Sequence, residues 1–149
     1  MGQEMSRREM LEKLSPLGRV ELDTAKCTGC GLCAGACPSG ALAVSVGEAG
    51  GFRLLFKYGV CVACGQCVEI CPEKALRLER TLEPEKIGSE SVMFEDEIIR
   101  CSGCGAPVGP RRMVEKIRAR VGTVRSELCI ACKARTAIGV WNKDNGHNA

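Results

Sequence analysis

Large aromatic side chains are scarce in this sequence of 149 residues, which holds one Trp, one Tyr and three Phe. Histidine occurs once, at His147 in a polar tail, so we expect no metal ligand there and no Cys–His catalytic pair. No apolar run approaches the roughly 20 residues that a transmembrane helix needs. A small chain with so few core-filling rings usually relies on disulfides or bound metals for stability.

Cysteine is abundant instead, with 12 residues of this type and 18 glycines. A disulfide framework belongs to secreted chains. Residues 6–11 resemble the start of a twin-arginine export signal, but Glu12–Arg19 lacks the apolar run that such a signal requires. We therefore expect a soluble protein of the cytoplasm, a reducing compartment in which cysteines bind metal.

Two cysteine runs, Cys27–Pro38 and Cys61–Pro72, repeat one pattern, and both read C-x2-C-x2-C-x3-C-P. Three closely spaced cysteines on a tight loop reach three irons of one cubane, and the fourth cysteine ligates the other cluster. The spacing therefore predicts two [4Fe–4S] clusters, one on Cys27, Cys30, Cys33 and Cys71 and the other on Cys61, Cys64, Cys67 and Cys37. Zinc or disulfides are the alternative, which the doubled spacing with a proline after each run disfavours.

The segment 20–80 that carries these runs resembles the bacterial two-[4Fe–4S] ferredoxin family. The resemblance implies an α+β domain in which each half supplies a short strand pair and a helix, related by a pseudo-twofold axis. Alternating side chains predict terminal strands at Val20–Asp23 and Leu76–Glu79, and a hairpin of Ala41–Val46 with Phe52–Phe56.

Charge divides the chain into two modules. Residues 1–100 hold 12 basic and 15 acidic residues, a net charge of −3, whereas residues 101–149 hold 9 and 3, a net charge of +6. An N-terminal extension (1–19) precedes the ferredoxin domain (20–80), and 81–97 is predicted to be an acidic linker because six of its residues are Asp or Glu. A metal-binding module (98–140) and a tail (141–149) complete the prediction.

The second module contains two C-x2-C pairs separated by a spacer long enough for a helix, and their cysteines are Cys101, Cys104, Cys129 and Cys132. Four cysteines in two pairs suit tetrahedral zinc in a small zinc-ribbon-like module. A third iron–sulfur cluster and mononuclear iron of the rubredoxin type stay open as alternatives. Between the pairs, Met113, Val114, Ile117 and Val121 recur at helical spacing, which predicts a helix over Arg111–Val121 with this stripe in the core.

A second resemblance lies in Arg100–Val108, the basic helix and Cys129–Lys133. This pattern is similar to the tail of ferredoxin-type subunits in formate hydrogenlyase and related membrane-bound [NiFe] hydrogenases. It implies electron relay inside a multi-subunit redox complex, with hydrogenase- or dehydrogenase-type subunits as partners.

We therefore expect an electron-carrier subunit, not an enzyme with its own substrate site, because no nucleotide fingerprint or pair of carboxylates accompanies the cysteines. No small-molecule substrate is predicted, and membrane association would come through partners. One rival is a nucleic-acid-binding protein using the basic four-cysteine module, which the lack of aromatic side chains disfavours. The other is a regulator whose clusters sense oxygen or redox state.

Overall fold

The computed structural model describes Ser6 and residues 17–47, 50–122 and 127–144, with residues 139–144 described by their backbone alone. Most of the predicted N-terminal extension, the only histidine and residues 145–149 lie outside the described residues. The chain divides into two compact units, residues 1–95 and residues 96–149.

Four strands of the first unit form two antiparallel pairs. Strand β1 (Gly18–Leu22) pairs with β4 (Leu76–Arg80), and β2 (Leu42–Val46) pairs with β3 (Gly51–Lys57). The predicted terminal strands and the predicted hairpin are confirmed to within two residues at each end. Antiparallel pairs with short helices are consistent with the predicted α+β class.

The two cysteine runs lie in loops that each lead into a short helix, α1 (Leu32–Gly35) and α2 (Gln66–Ile70). Both helices begin after a glycine in the left-handed conformation, Gly31 at φ +74° and Gly65 at φ +80°. A glycine tolerates this conformation without a steric penalty, so the chain turns sharply from loop to helix. The third cysteine of each run is thereby the buried residue of its helix.

The core of the first unit contains the three Phe residues and the Tyr of the sequence. Phe52 and Phe56 on β3 are buried with Leu54, and the ring of Phe52 meets that of Phe94 edge to face at 6.2 Å between centroids. Tyr58 is also buried, in a 3₁₀ turn that follows β3. The aromatic side chains are therefore concentrated where they bury the most apolar surface.

The predicted acidic linker 81–97 contains ordered secondary structure. A 3₁₀ turn covers Pro84–Lys86, and strand β5 runs from Glu90 to Arg100. Phe94 of this strand is buried, and its acidic side chains have basic neighbours on β3: Glu90 pairs with Lys57 at 3.3 Å and Glu95 with Arg53 at 2.7 Å. The composition of the segment alone indicated a solvated linker, because the basic residues that compensate its negative charge lie much earlier in the chain.

In the second unit, the C-terminal part of β5 pairs antiparallel with β6 (Pro107–Pro110), with a bulge between Ile99 and Arg100. Helix α3 (Arg111–Val121) has the predicted bounds, and helix α4 (Ile130–Asp144) extends into the predicted tail. The apolar stripe of α3 is only partly in a core.

Within that stripe Val114 is buried, but Ile117 is 44% exposed and Val121 is 73% exposed. The prediction of core packing is therefore wrong for the C-terminal half of the stripe. A unit of this size has too little structure to cover both ends of the helix. Among the residues that the structure describes, no helix combines the length and apolarity needed to cross a bilayer.

Candidate cluster and metal centres

The two cysteine loops share their backbone conformation position by position. Left-handed φ angles recur at equivalent positions of the repeat, in the pairs Gly29 and Ala63 (+72° and +50°), Gly31 and Gly65 (+74° and +80°), and Gly40 and Lys74 (+68° and +51°). Two of these positions in the second loop hold non-glycine residues, which adopt this conformation at a cost of roughly 1–3 kcal/mol each. The local geometry of the loop is therefore retained even where the residue type does not favour it.

Four thiols from both runs line one cavity. Cys61, Cys64 and Cys67 come from the second loop, and Cys37 is the last cysteine of the first. Burial raises the pKa of Cys67, and the thiols of Cys61, Cys37 and Cys64 raise it further. Mutual repulsion of thiolates is the electrostatic property of a site that binds cations. This set has the composition that the spacing predicts for the second cluster.

The wall of this cavity is built by strand pairing. Val20 faces Leu78 across β1 and β4, Leu42 faces Phe56 across β2 and β3, and all four side chains line the cavity. Gly18 holds β1 close to the second loop, since a Cβ there would lie 3.0 Å from the Cβ of Ala63. Both strand pairs therefore position the thiols and supply an apolar lining that excludes water.

The first loop brings three further thiols near one another. Burial raises the pKa of Cys33 to about 11, and the thiols of Cys30, Cys27 and Cys67 contribute to the rise. Cys30 is exposed and Cys27 is half-buried, with its Sγ accepting the backbone N–H of Gly29 at 3.4 Å. Cys33 lies on α1 and Cys67 on α2, and these two helices are in contact, so the two cysteine sets are neighbours.

The fourth cysteine of each run accepts hydrogen bonds. The Sγ of Cys37 lies 3.6 Å from the Oγ of Ser39. Burial raises the pKa of Cys37, but hydrogen bonds from Leu42, Ser39 and Ala41 outweigh it and the net pKa is lowered. Cys71 is buried, and its Sγ accepts the N–H of Ala75 at 3.4 Å. Hydrogen bonds of this kind stabilise a thiolate and tune a bound cluster.

The second unit brings its four cysteines to one point. The Sγ atoms of Cys101, Cys104, Cys129 and Cys132 all lie within 4.8 Å of one another. Cys101 directly follows β5 and Cys104 lies in the next turn, whereas Cys129 directly precedes α4 and Cys132 lies in its first turn. A metal ion at this point would connect the turn to the helix.

Backbone amides polarise this group of thiols. The N–H groups of Cys129 and Gly103 point at Cys101 Sγ at 3.3 and 3.4 Å, and they lower the pKa of Cys101 to about 6. The N–H of Cys132 lowers the pKa of Cys129. Hydrogen bonds to Cys104, Cys101 and Cys129 raise the pKa of Cys132 to about 12. The backbone amides therefore favour the thiolate form of Cys101 and Cys129, which is the form that binds metal.

The sulfur spacing bears on which metal fits. Zinc–sulfur bonds of about 2.3 Å in a tetrahedron place sulfurs about 3.8 Å apart. The Sγ atoms of Cys104 and Cys129 are 3.6 Å apart. In a cubane each thiolate binds a different iron and projects outward, so its sulfurs lie farther apart than those that share one ion. The arrangement fits a single tetrahedral ion.

Comparison with known families gives one finding. Residues 19–72 match the family described as "4Fe-4S dicluster domain". The match includes both cysteine runs and supports a 4Fe–4S ferredoxin-type family and an iron–sulfur cofactor for this part of the chain. No curated protein matches the chain.

Two residues of the first unit that sequence reasoning did not single out contact the cysteine loops. Ser39 lines the cavity beside Cys37, and Arg80 donates from Nη2 to the carbonyl oxygen of Ala63 at 3.3 Å. The equivalent residue of the second repeat is Glu73, so a comparison of the two repeats could have indicated that Ser39 has a role of its own. The contact of Arg80 depends on the pairing of β4 and has no local signature.

Proposed function

We propose that the chain is an electron-transfer protein that relays single electrons through two [4Fe–4S] clusters. The proposed ligands are Cys27, Cys30, Cys33 and Cys71 for one cluster and Cys37, Cys61, Cys64 and Cys67 for the other. The observation that carries the proposal is the cavity lined by the second set, in which a cysteine of one repeat joins three of the other. The spacing of ferredoxin-type runs predicts this exchange.

Proximity of the two sets supports a relay. Cys33 and Cys67 lie on helices α1 and α2, which contact each other. A reduced partner protein would donate one electron, and the same electron would pass to an oxidised partner protein. The clusters supply the redox chemistry, while the chain supplies ligation, an apolar lining and docking surfaces. We place the protein in the cytoplasm, as a permanent subunit beside hydrogenase- or dehydrogenase-type partners, without a substrate site of its own.

We assign the four-cysteine site of the second unit to structural zinc. All four positions of a tetrahedron would be taken by cysteine, which leaves none for a reactant. Zinc has no redox chemistry, so the electron path would lie within the first unit. Mononuclear iron would fit the same sulfur spacing, and metal analysis separates the two.

Ion pairs made by the basic side chains of α3 favour electron relay over nucleic-acid binding. Arg111 pairs with Glu97 and Arg118 pairs with Glu127. These guanidinium groups already have carboxylate partners, which a phosphate would have to displace. A salt-dependent gel shift with the full chain would contradict this preference.

The decisive experiment is metal and redox analysis of anaerobically purified protein. We expect about eight irons, eight sulfides and one zinc per chain, and reversible one-electron reduction of both clusters in electron paramagnetic resonance (EPR). About twelve irons without zinc would replace the zinc assignment by a third cluster. Clusters that cannot be reduced reversibly would remove the relay.

A further inference from the structure

The hydroxyl group of Ser39 distinguishes the two cluster sites. Its Oγ lies 3.6 Å from Cys37 Sγ, and Ser39 lines the cavity that holds Cys61, Cys64 and Cys67. A thiolate has no proton to donate, so toward a ligated Cys37 the hydroxyl is the donor. In the second repeat, the residue at the equivalent position beside Cys71 is Glu73. An ionised carboxylate donates no hydrogen bond and adds a negative charge.

A second difference involves Arg80 at the end of β4. Its guanidinium donates to the carbonyl oxygen of Ala63, which lies between Cys61 and Cys64 in the second loop. The equivalent position of the first repeat is Val46, which carries no charge. Arg80 therefore places a permanent cation against the loop of one site, and the equivalent residue of the other repeat is apolar.

Two lysines lie near the site of Cys27, Cys30, Cys33 and Cys71 in the sequence, but they do not cancel the difference in charge between the two sites. Lys26 precedes Cys27, but its ammonium pairs with Asp23 at 3.3 Å. Lys74 follows Cys71 by three positions, and its ammonium lies in an exposed position 3.5 Å from the carbonyl oxygen of Glu69. Arg80 is exposed as well, so solvent screens both cations and the hydroxyl of Ser39 is the stronger of the two differences. Glu73, two positions after Cys71, adds a carboxylate on this side, whereas Glu69 lines a pocket together with Cys64 of the other site.

Reduction adds one negative charge to a cluster. Hydrogen bonds to its sulfurs and nearby cations stabilise that charge, whereas nearby carboxylates oppose it. We propose that Ser39 and Arg80 give the site of Cys37, Cys61, Cys64 and Cys67 the higher reduction potential, so that the chain is a polarised relay. An electron that enters at the site of Cys27, Cys30, Cys33 and Cys71 passes to the other site. This inference rests on the proposed function, because it requires both clusters.

The test is an anaerobic redox titration of the full chain, followed by EPR. The wild type is expected to show two distinct midpoint potentials. Ser39→Ala should lower the higher of the two midpoint potentials by about 59 mV, which is a tenfold change in the reduction equilibrium of a one-electron couple. The lower midpoint potential should stay unchanged. Ser39→Thr keeps a hydroxyl and should restore the wild-type value. Ser45→Ala removes an exposed hydroxyl from β2 and serves as the control.

Charge variants test the same assignment independently. Arg80→Gln should lower the potential that Ser39→Ala lowers. Arg53→Gln removes an equal charge from β3, where the partner is Glu95, and should change little. Glu73→Ser should raise the lower potential and narrow the gap between the two.

The outcomes distinguish a failure of the polarised relay from a failure of the proposed electron-transfer function. Two reducible clusters whose potentials do not respond to Ser39→Ala would overturn the inference and leave the proposed function intact. A shift of the same potential by Ser39→Ala and Glu73→Ser would also overturn it, as would a single potential in the wild type. Protein without reducible clusters would end both.

Discussion

At the scale of single residues, the repeat keeps its backbone angles more strictly than its residue types. Gly40 and Lys74 occupy equivalent positions with φ of +68° and +51°. Nothing lies within 4 Å of a Cβ built on Gly40, so a side chain there would meet no steric obstacle beyond the backbone angle itself. The two positions therefore isolate the cost of a left-handed residue.

We predict that Lys74→Gly stabilises the protein and Gly40→Ala destabilises it, each by about 1 kcal/mol, because glycine adopts positive φ without penalty. The measurement is the thermal midpoint of the anaerobic, cluster-loaded protein at one scan rate. Lys74→Ala is the control, since it removes the ammonium but keeps the strained angle. A gain in Lys74→Ala equal to that in Lys74→Gly would attribute the effect to charge.

Tyr58 forms hydrogen bonds with the backbone of the segment that follows β4. It is 2% exposed, its hydroxyl donates to the carbonyl oxygen of Thr81 at 2.6 Å, and it accepts the N–H of Glu83 at 2.7 Å. Tyr58→Phe should destabilise the protein by about 1–2 kcal/mol, because two partly buried backbone groups lose their partner.

Ser89→Ala is the matched control for that substitution. The hydroxyl of Ser89 also donates to a backbone carbonyl, that of Lys86, but in an exposed turn. Water replaces such a bond at little cost, so the thermal midpoint should stay near that of the wild type. Equal effects of the two substitutions would refute the importance of burial at Tyr58.

At the scale of elements, β5 shows how an acidic segment becomes a strand. Its glutamates pair with basic side chains of β3, and its Phe94 is buried against Phe52. The ring supplies the apolar contact that composition did not reveal. The strand is therefore stabilised by a neighbour that lies much earlier in the chain.

Phe94→Ala should destabilise the protein by about 3–5 kcal/mol, since it removes a buried ring. Val92 lies two residues earlier on the same strand and is 50% exposed, so Val92→Ala should cost less than about 1 kcal/mol. Denaturation of the two variants under one set of anaerobic conditions measures the difference. Similar losses would mean that β5 is held by its backbone and ion pairs alone.

At the scale of the whole molecule, the chain divides its cysteines between two units in different arrangements. The first unit carries eight cysteines in two repeated loops, and the second carries four that meet within 4.8 Å. This division implies that the metal content of one unit can change without the other.

If the second unit holds the proposed zinc, Cys132→Ser should remove it and leave the iron at about eight per chain, because Cys132 belongs only to that unit. Metal analysis of the anaerobic variant gives both numbers, and circular dichroism should show a loss of helix as α4 loses its connection to the metal. Retention of zinc together with a loss of about four irons would contradict the assignment of that site.

Features that depend on neighbours along the chain could be predicted from the order of residues alone. Three thiols on a tight loop need cysteines three positions apart, and the amphipathic stripe of Arg111–Val121 defines a helix within one segment. The hairpin of β2 and β3 is equally local, because one glycine-containing turn joins its strands. Such features require no knowledge of distant contacts.

Features that depend on residues far apart in the sequence arise only in the folded chain. Val20 and Leu78 both line the cavity because β1, at the start of the first unit, pairs with β4, which lies much later in the chain. The position of Arg80 on the second loop and the ion pairs of β5 depend on similar long-range pairing. Burial and charge compensation are properties of the folded arrangement, so a one-dimensional pattern of residue types does not contain them.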